Sequence, residues 1–269
     1  MKKGQNLLPI GVFDSGMGGI SVLGELVKMM PNEKYIYMAD SANAPYGTKT
    51  CDCVRSLSVN AVGMLFARGI KALVVACNTA TSVAINDIRG KFNIPVIGME
   101  PALKPAVENG KTGDIVVMAT PLTLKEEKFK ALFSRFNTEA SIIRLPCPGL
   151  VELIESETES EIRNYLQELF SHVRITKVSS IVLGCTHYCF IKEDIAQVVG
   201  PGIRIVDGNA GTVRHLMNIL QARHSLNSRP EQQNKVDVEF LTTGDISKII
   251  PLSQRFLERA LRDSFIDPL

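Results

Sequence analysis

The sequence predicts an α/β fold of two similar, doubly wound parallel-sheet domains. Apolar runs of strand length alternate with helical patterns along the 269 residues, and this alternation is typical of parallel sheets with helices on both faces. Two of the runs, 72–76 and 180–184, end in the same way, at a cysteine followed by small polar residues. The order and spacing of the elements in the first half are nearly repeated in the second. These observations indicate two units that are built alike.

Hydrophobic periodicity defines the individual elements. Short apolar runs that stop at polar residues or glycine predict strands, and apolar residues at every third or fourth position predict helices. The predicted strands are 10–13, 34–39, 72–76, 94–98, 114–118, 140–145, 180–184, 203–206 and 236–241. The predicted helices include 21–30, 50–68, 78–91, 212–222 and 247–261. Periodicity does not show where the tail, residues 207–269, packs.

The spacing of corresponding positions supports a duplicated unit. Asp14 ends the first strand and Cys77 follows the third, 63 residues later. In the second half, Ala119 and Cys185 occupy the matching positions and are 66 residues apart. Any chain of alternating strands and helices has some such regularity, but the paired cysteine turns favour duplication.

Composition narrows the functional classes. Lys+Arg 30 against Asp+Glu 28 leaves a net charge of +2, which gives no reason to expect nucleic acid or an anionic membrane as a partner. No apolar run approaches the roughly 18 residues of a membrane helix, and the run 7–13 is too short for a signal peptide. Six cysteines in such a chain predict free thiols in a reducing cytosol, and hence a cytoplasmic protein.

A glycine-rich loop, Gly16-x-Gly18-Gly19, joins the first strand to the first helix. It matches neither the dinucleotide-binding fingerprint nor the P-loop, which continues with Gly-Lys-Ser/Thr. We expect a tight turn whose backbone amides face a small anion.

Two thiols stand at the carboxyl ends of predicted strands, the edge at which open α/β sheets bind ligands. Cys77 is followed by Asn78 and Thr79, and Cys185 by Thr186 and His187. These polar neighbours do not suit a cysteine that only fills a core. A structural role is expected instead for the remaining cysteines, Cys51, Cys53, Cys147 and Cys189.

Three chemical roles for the two thiols were compared. A zinc site made by Cys185, His187 and Cys189 with Cys77 is weighed first, but its spacing does not match the usual pattern of structural zinc ligands, so no metal is expected. One thiol with His187 as base would serve a hydrolase or transferase. Both thiols would serve a racemase, in which one removes a proton from a carbon centre and the other returns a proton to the opposite face.

Six segments of the chain, taken together and in order, resemble glutamate racemases of the aspartate/glutamate racemase superfamily. They are residues 11–19, Asp40 with 45–47, 77–79, 148–152, 184–187 and 240–245. The matches run from about residue 10 to 265, essentially the whole chain. A racemase for aspartate or another amino acid of the same superfamily is the alternative.

The resemblance implies a cofactor-independent isomerase that interconverts L- and D-glutamate for peptidoglycan, and therefore for the cell wall and cell shape. It also implies a homodimer without a metal. One domain would contain residues 1–98 and 207–269, and the other residues 99–206, with the active site in the cleft between them.

The resemblance further implies roles for individual residues. Cys77 would exchange the proton of the D-enantiomer with help from Asp14, and Cys185 that of the L-enantiomer with help from His187. Glu152 is similar to a further acidic residue of the family near the second thiol. The implied substrate-binding residues are Asp14, Ser15, Pro45, Tyr46, Gly47, Asn78, Thr79, Thr186 and His187, with Thr120 as a possible addition. The chain departs from the family pattern at Ala119, Lys125 and Asn209.

Overall fold

The structure is a computed structural model that describes residues 5–108, 112–136, 139–227 and 237–262. Two parallel sheets, each covered by helices, form two α/β units. The predicted fold class is thereby confirmed. Within the described ranges, no helix has the length and apolar character needed to cross a membrane.

All strand pairs of both sheets are parallel. The strands are β1 (Ile10–Asp14), β2 (Lys34–Ala39), β3 (Ala72–Val75), β4 (Val96–Gly98), β5 (Asp114–Ala119), β6 (Ile142–Pro146), β7 (Val178–Leu183), β8 (Arg204–Val206) and β9 (Asp237–Thr242). The first sheet has the order β4-β3-β1-β2-β9 and the second the order β6-β5-β7-β8.

The two sheets share one topology. Replacing β1, β2, β3 and β4 by β5, β6, β7 and β8 turns the order β4-β3-β1-β2 into β8-β7-β5-β6, which is the second sheet. The strands that precede Cys77 and Cys185 are therefore equivalent, as the spacing predicted. Strand β9 is the addition to the first sheet, where it pairs with β2 and so places the tail that periodicity left open.

Helices cover both faces of each sheet. They are α1 (Ile20–Met29), α2 (Cys51–Ala67), α3 (Asn78–Lys91), α4 (Leu103–Glu108), α5 (Pro121–Lys125), α6 (Glu127–Ser134), α7 (Leu150–Glu155), α8 (Glu159–Ser171), α9 (Lys192–Val199), α10 (Asn209–Ala222) and α11 (Ile246–Arg262). The predicted helices correspond to α1, α2, α3, α10 and α11 within a few residues. The first residue of the predicted strand 236–241 lies outside the described residues.

Side chains of successive strand residues enter different cores because they alternate between the two faces of the sheet. Val12 and Val74 belong to one buried cluster, whereas Phe13 and Val75 belong to another. Both faces are thus apolar, which explains why the strands read as continuous hydrophobic runs.

One buried cluster joins the two units. It contains Leu23 of α1 together with Met118 of β5 and Tyr188 beyond β7. Across the same contact, the rings of Phe190 and Phe256 meet edge to face with centroids 4.7 Å apart. Shared apolar burial fixes the units so that the carboxyl ends of their sheets face a common cleft.

Candidate active site

The cleft lies between the carboxyl ends of β1 and β3 in one unit and β5 and β7 in the other. Its free space for water-sized molecules is about 60 Å³, so the cleft is narrow. All the residues predicted for the site line it, namely Asp14, Ser15, Pro45, Tyr46, Gly47, Cys77, Asn78, Thr79, Thr120, Glu152, Cys185, Thr186 and His187. Their individual roles remain predictions.

Cys77 is buried at the start of α3, directly after β3. Its Sγ lies 3.3 Å from Oγ of Ser15 and accepts a hydrogen bond from the amide of Ala80 at 3.4 Å. Burial, followed by the negative charge of Asp14, raises the pKa of Cys77 to about 12. Burial and Asp14 both oppose the thiolate form of Cys77, and a positive charge nearby would favour it.

Asp14 is fully buried at the end of β1. Its Oδ2 accepts the amide hydrogens of Gly16 at 3.2 Å and Gly19 at 3.0 Å. Its Oδ1 is buried, and no group of the described residues forms a hydrogen bond with it. Burial raises the pKa of Asp14 in spite of His187 and the amides. A cationic group or proton donor of a bound molecule would complete this carboxyl group.

Cys185 follows β7 and has a histidine as its neighbour. Its Sγ lies 3.7 Å from Nδ1 of His187, and Nε2 of the same ring lies 2.8 Å from Oε1 of Glu155. Burial lowers the pKa of His187, but the contacts with Cys185 and Glu155 outweigh burial and raise it well above its usual value. Burial raises the pKa of Glu155, but His187 outweighs this and lowers it overall. The ring therefore joins a thiol to a carboxylate.

Glu155, three residues after the predicted Glu152, is the acidic residue that contacts His187. Both are on α7, three residues apart and so on neighbouring parts of one helical face. Glu152 is exposed at the mouth of the cavity, whereas Glu155 is partly buried and contacts His187. The role predicted for Glu152 stays a prediction. Glu155 was not singled out from the sequence, because only the depth of the helix in the cleft distinguishes the two acids.

The cavity holds no Lys or Arg among its described lining residues. The groups that can receive carboxylates are hydroxyls and the amides at the starts of α3 and of the 3₁₀ helix Thr186–Ile191. The hydroxyls of Thr79, Thr120 and Thr123 form a triangle with sides of 2.9–3.1 Å, which joins the two units at the cleft. Thr123 was missed from the sequence, although its spacing from Thr120 is that of a helix cap.

The loop carrying Pro45, Tyr46 and Gly47 is held in place from below. The buried hydroxyl of Tyr46 donates to Oδ2 of Asp40, and Asn43 donates to Oδ1 of the same carboxylate at 2.9 Å. The tyrosine ring is thus a wall of the cavity with its polar end already satisfied.

Cys147 is a third thiol in the wall of the cavity. It is buried, and burial raises its pKa to about 12. Its Sγ lies 3.4 Å from the carbonyl oxygen of Leu145, so its described contacts are those of a packed thiol.

A metal centre has no obvious ligands here. Over the ranges that the structure describes, no cluster of three or more His, Cys, Asp or Glu side chains could hold a metal ion. The absence of a metal or cofactor remains a prediction.

The fold and the site define an α/β protein of two equivalent units, with one thiol from each unit in a shared cleft. A family model for Asp/Glu/Hydantoin racemase matches residues 10–216. The chain belongs to the Asp/Glu/Hydantoin racemase family, and it is an amino-acid racemase, an isomerase.

Individual relatives are glutamate racemases. The chain is 49% identical to the glutamate racemase of Clostridium novyi over 254 residues, which cover 93% of this chain and 97% of that protein. A glutamate racemase isoform of Bacillus anthracis superposes with a TM-score of 0.81 at 28% identity, over 93% of this chain and 94% of that one. The Escherichia coli glutamate racemase in complex with L-glutamate superposes with a TM-score of 0.81 at 31% identity, over 93% of this chain and 95% of that one. The resemblance to glutamate racemases is thus confirmed.

Proposed function

We propose that this protein interconverts L- and D-glutamate by proton transfer to and from Cys77 and Cys185. One observation carries the proposal. The two thiols follow equivalent strands, β3 and β7, of the two similar units, and both line the same cavity. A planar carbon between them could lose a proton to one thiolate and gain one from the other thiol.

The reaction from L to D begins at Cys185. His187 accepts the thiol proton at Nδ1, and the resulting thiolate takes the α-proton of the substrate. The thiol of Cys77 then gives its proton to the opposite face of the α-carbon, which leaves Cys77 as the thiolate. Return to the starting state needs a proton at Cys77 and release of the proton that His187 holds. The reverse reaction runs through the same steps in the opposite order.

The protein must stabilise charge as well as transfer protons. An α-proton is a far weaker acid than a thiol, whose ordinary pKa is about 8.5. Amides at the starts of α3 and of the 3₁₀ helix Thr186–Ile191 supply fixed positive ends for the carbanion-like state and the thiolates. The substrate ammonium would also favour the Cys77 thiolate, which burial and Asp14 oppose.

Glutamate fits a cavity whose donors are neutral. We assign its carboxylates to the amides and hydroxyls of Ser15, Asn78, Thr79 and Thr186, together with Thr120 of the threonine triangle. Asp14, with its unpartnered oxygen, receives the ammonium group. Pro45, Tyr46 and Gly47 shape the wall beside the carbon chain.

The organisation of the molecule forms part of the same proposal. Residues 1–98 and 207–269 make one domain and residues 99–206 the other, supported by β1–β4 and β9 lying in one sheet and β5–β8 in the other. The active enzyme is a homodimer in the cytoplasm that supplies D-glutamate for peptidoglycan. Light scattering at assay concentrations tests the dimer.

A single assay tests the substrate. When purified protein is incubated with L-glutamate alone, the circular dichroism signal of the glutamate should fall to zero as the racemic mixture forms. L-Aspartate serves as the comparison substrate under the same conditions. Turnover of aspartate without turnover of glutamate would transfer the assignment to the sister racemase.

A further inference from the structure

We propose that the glycine-rich loop, residues 14–19, is a socket from one unit that positions the proton-transfer pair Glu155 and His187 of the other. The inference rests on the proposed two-thiol reaction and adds to it a positioning role for Gly16 and Gly18. It assigns a task to a motif that sequence analysis could explain only as a cradle for a small anion.

Space, rather than backbone conformation, demands glycine at these positions. Neither Gly16 nor Gly18 belongs to the glycines with positive φ. A Cβ atom on Gly18 would lie 2.3 Å from Nδ1 of His187, and one on Gly16 would lie 2.5 Å from Oε1 of Glu155. The loop approaches the opposite unit so closely that the imidazole ring and the carboxylate occupy the positions of missing side chains.

Backbone amides of the loop are directed at the same two groups. The amide of Met17 donates to Oε1 of Glu155 at 3.1 Å, and the amide of Gly18 lies 3.1 Å from Nε2 of His187. The anion that faces the amide of Met17 is thus the Glu155 carboxylate of the other unit. A hydrogen bond from Met17 favours the carboxylate form of Glu155, which in turn orients the ring.

Nε2 of His187 has two neighbours that make opposite demands on it. Glu155 accepts a hydrogen from it, whereas Gly18 donates one to it. A ring nitrogen bears at most one hydrogen, so only one of these contacts is a hydrogen bond in a given tautomer. The contact with Glu155 is shorter and charge-assisted, and it places the hydrogen on Nε2. Nδ1 is then free to accept the proton of Cys185.

A third contact anchors the socket. Oγ of Ser21, in the first turn of α1, lies 2.8 Å from the carbonyl oxygen of Gly18 and 3.1 Å from that of Thr186. The start of α1 is thereby tied to the segment between Cys185 and His187. Because Asp14 and Ser15 at the other end of the loop serve Cys77, one short segment sets the geometry at both thiols.

The test is Gly18→Ala, with Gly63→Ala as the matched control. Gly63 lies in α2, where an added Cβ finds its nearest heavy atom, Cζ of Phe92, at 4.0 Å. Displacing a catalytic group by about 1 Å can reduce a rate by about 10²-fold, so we expect a loss of that order in kcat/KM for Gly18→Ala and wild-type activity for Gly63→Ala. Thermal unfolding confirms that both variants are folded.

Isotope effects separate positioning from general damage. The enantiomers have equal free energies, so kcat/KM must fall equally in both directions and does not show which transfer is slowed. Using substrates deuterated at the α-carbon, Gly18→Ala should raise the primary isotope effect on L-glutamate, where Cys185 abstracts, and lower it on D-glutamate. If the substitution only lowered the fraction of enzyme molecules with an intact site, the rate would fall but both isotope effects would stay unchanged.

The outcomes decide the proposal without ambiguity. Activity of Gly18→Ala within twofold of wild type, or a loss with unchanged isotope effects, overturns it. If Gly18→Ala does not fold, Gly16→Ala is judged by the same criteria, because the only atom within 3.0 Å of its new methyl group is at the end of the flexible Glu155 side chain. Wild-type protein that does not racemise glutamate would instead refute the proposed function, before any loop variant is compared.

Discussion

Sγ of Cys185 lies 3.7 Å from Nδ1 of His187, so the second thiol has a base at its side. Among the described residues, the contacts of the first thiol are different, for Cys77 meets the hydroxyl of Ser15 and the amide of Ala80. The site is therefore a duplicated scaffold with unlike acid–base partners. In the proposed reaction each enantiomer would therefore meet its own proton-transfer environment, although the two units share one topology.

The pH dependence of turnover should be bell-shaped. Each direction needs one cysteine as thiolate and the other as thiol, and the pair titrates as a unit with two apparent pKa values. Because the two enantiomers have equal free energies, the profile of kcat/KM must be the same from L-glutamate and from D-glutamate. Initial rates across the pH range in both directions provide the measurement. A profile that rises and then stays level through the alkaline range would contradict the paired-thiol mechanism.

Glu155→Gln should reduce activity much more than Glu152→Gln. The Gln side chain keeps the size of Glu155 but has no negative charge. Its hydrogen bond with His187 is therefore weaker, and the ring becomes a weaker base for Cys185. Loss of the hydrogen-bond partner that orients a functional histidine typically reduces activity by about 10–100-fold. Steady-state kinetics of the two variants, which lie three residues apart on α7, make the comparison direct. Equal effects would restore the choice of Glu152 made from the sequence.

Much of the fold and of the candidate site can be predicted from the sequence, because the candidate site residues directly follow the predicted strands. The runs before Cys77 and Cys185 predict buried parallel strands, and parallel strands bring their carboxyl ends to one edge. The near-equal spacing of the halves predicts the shared topology. These inferences need only local patterns, and the structure confirms the strands and their repetition.

Other features depend on distances that local patterns do not contain. Glu152 and Glu155 look alike on a helix, and only the docking of α7 against the glycine-rich loop favours Glu155. Asn209, noted as a departure from the family pattern, is buried, and its Nδ2 lies 3.6 Å from Sγ of Cys189. Such contacts join residues that are distant in sequence, which periodicity cannot show.

His187→Gln should alter stability in a pH-dependent way. The pKa of His187 is raised in the folded protein, so the folded state binds the proton more tightly than the unfolded chain, whose value is about 6.5. The resulting stabilisation is complete below that value and disappears as the pH rises through the folded-state pKa. The difference in free energy of unfolding between wild type and variant should therefore shrink with rising pH in denaturant titrations. A difference that is independent of pH would contradict the charged His187–Glu155 pair.

Removal of metal ions should leave activity unchanged. The proposed chemistry uses the two thiols, and the described residues offer no cluster of metal ligands. Exhaustive chelation followed by the racemisation assay tests this expectation, and a visible absorption spectrum tests for pyridoxal phosphate. Loss of activity that zinc restores would instead favour the zinc site of Cys185, His187 and Cys189 with Cys77.

Cys77→Ala and Cys185→Ala should each abolish most of the racemisation. A positioned acid or base contributes about 10²–10⁴-fold to a rate, and each thiol takes part in both directions. The double variant should lose little more than either single variant, because residues that act as a unit are not additive. Cys53→Ala is the matched control, since Cys53 is exposed and lies outside the cavity.

Heavy water distinguishes this mechanism from that of an enzyme with one catalytic thiol. If Cys77 and Cys185 face opposite sides of the α-carbon, deuterium from the solvent should enter the product enantiomer at the first turnover. The remaining substrate should stay largely protonated, because the group that removes the proton is not the group that delivers the deuteron. Proton NMR after separation of the enantiomers measures the deuterium content of the product and of the remaining substrate. A hydrolase or transferase with one thiol predicts no exchange at the α-carbon, and near-normal racemisation by either cysteine variant would refute the two-base mechanism.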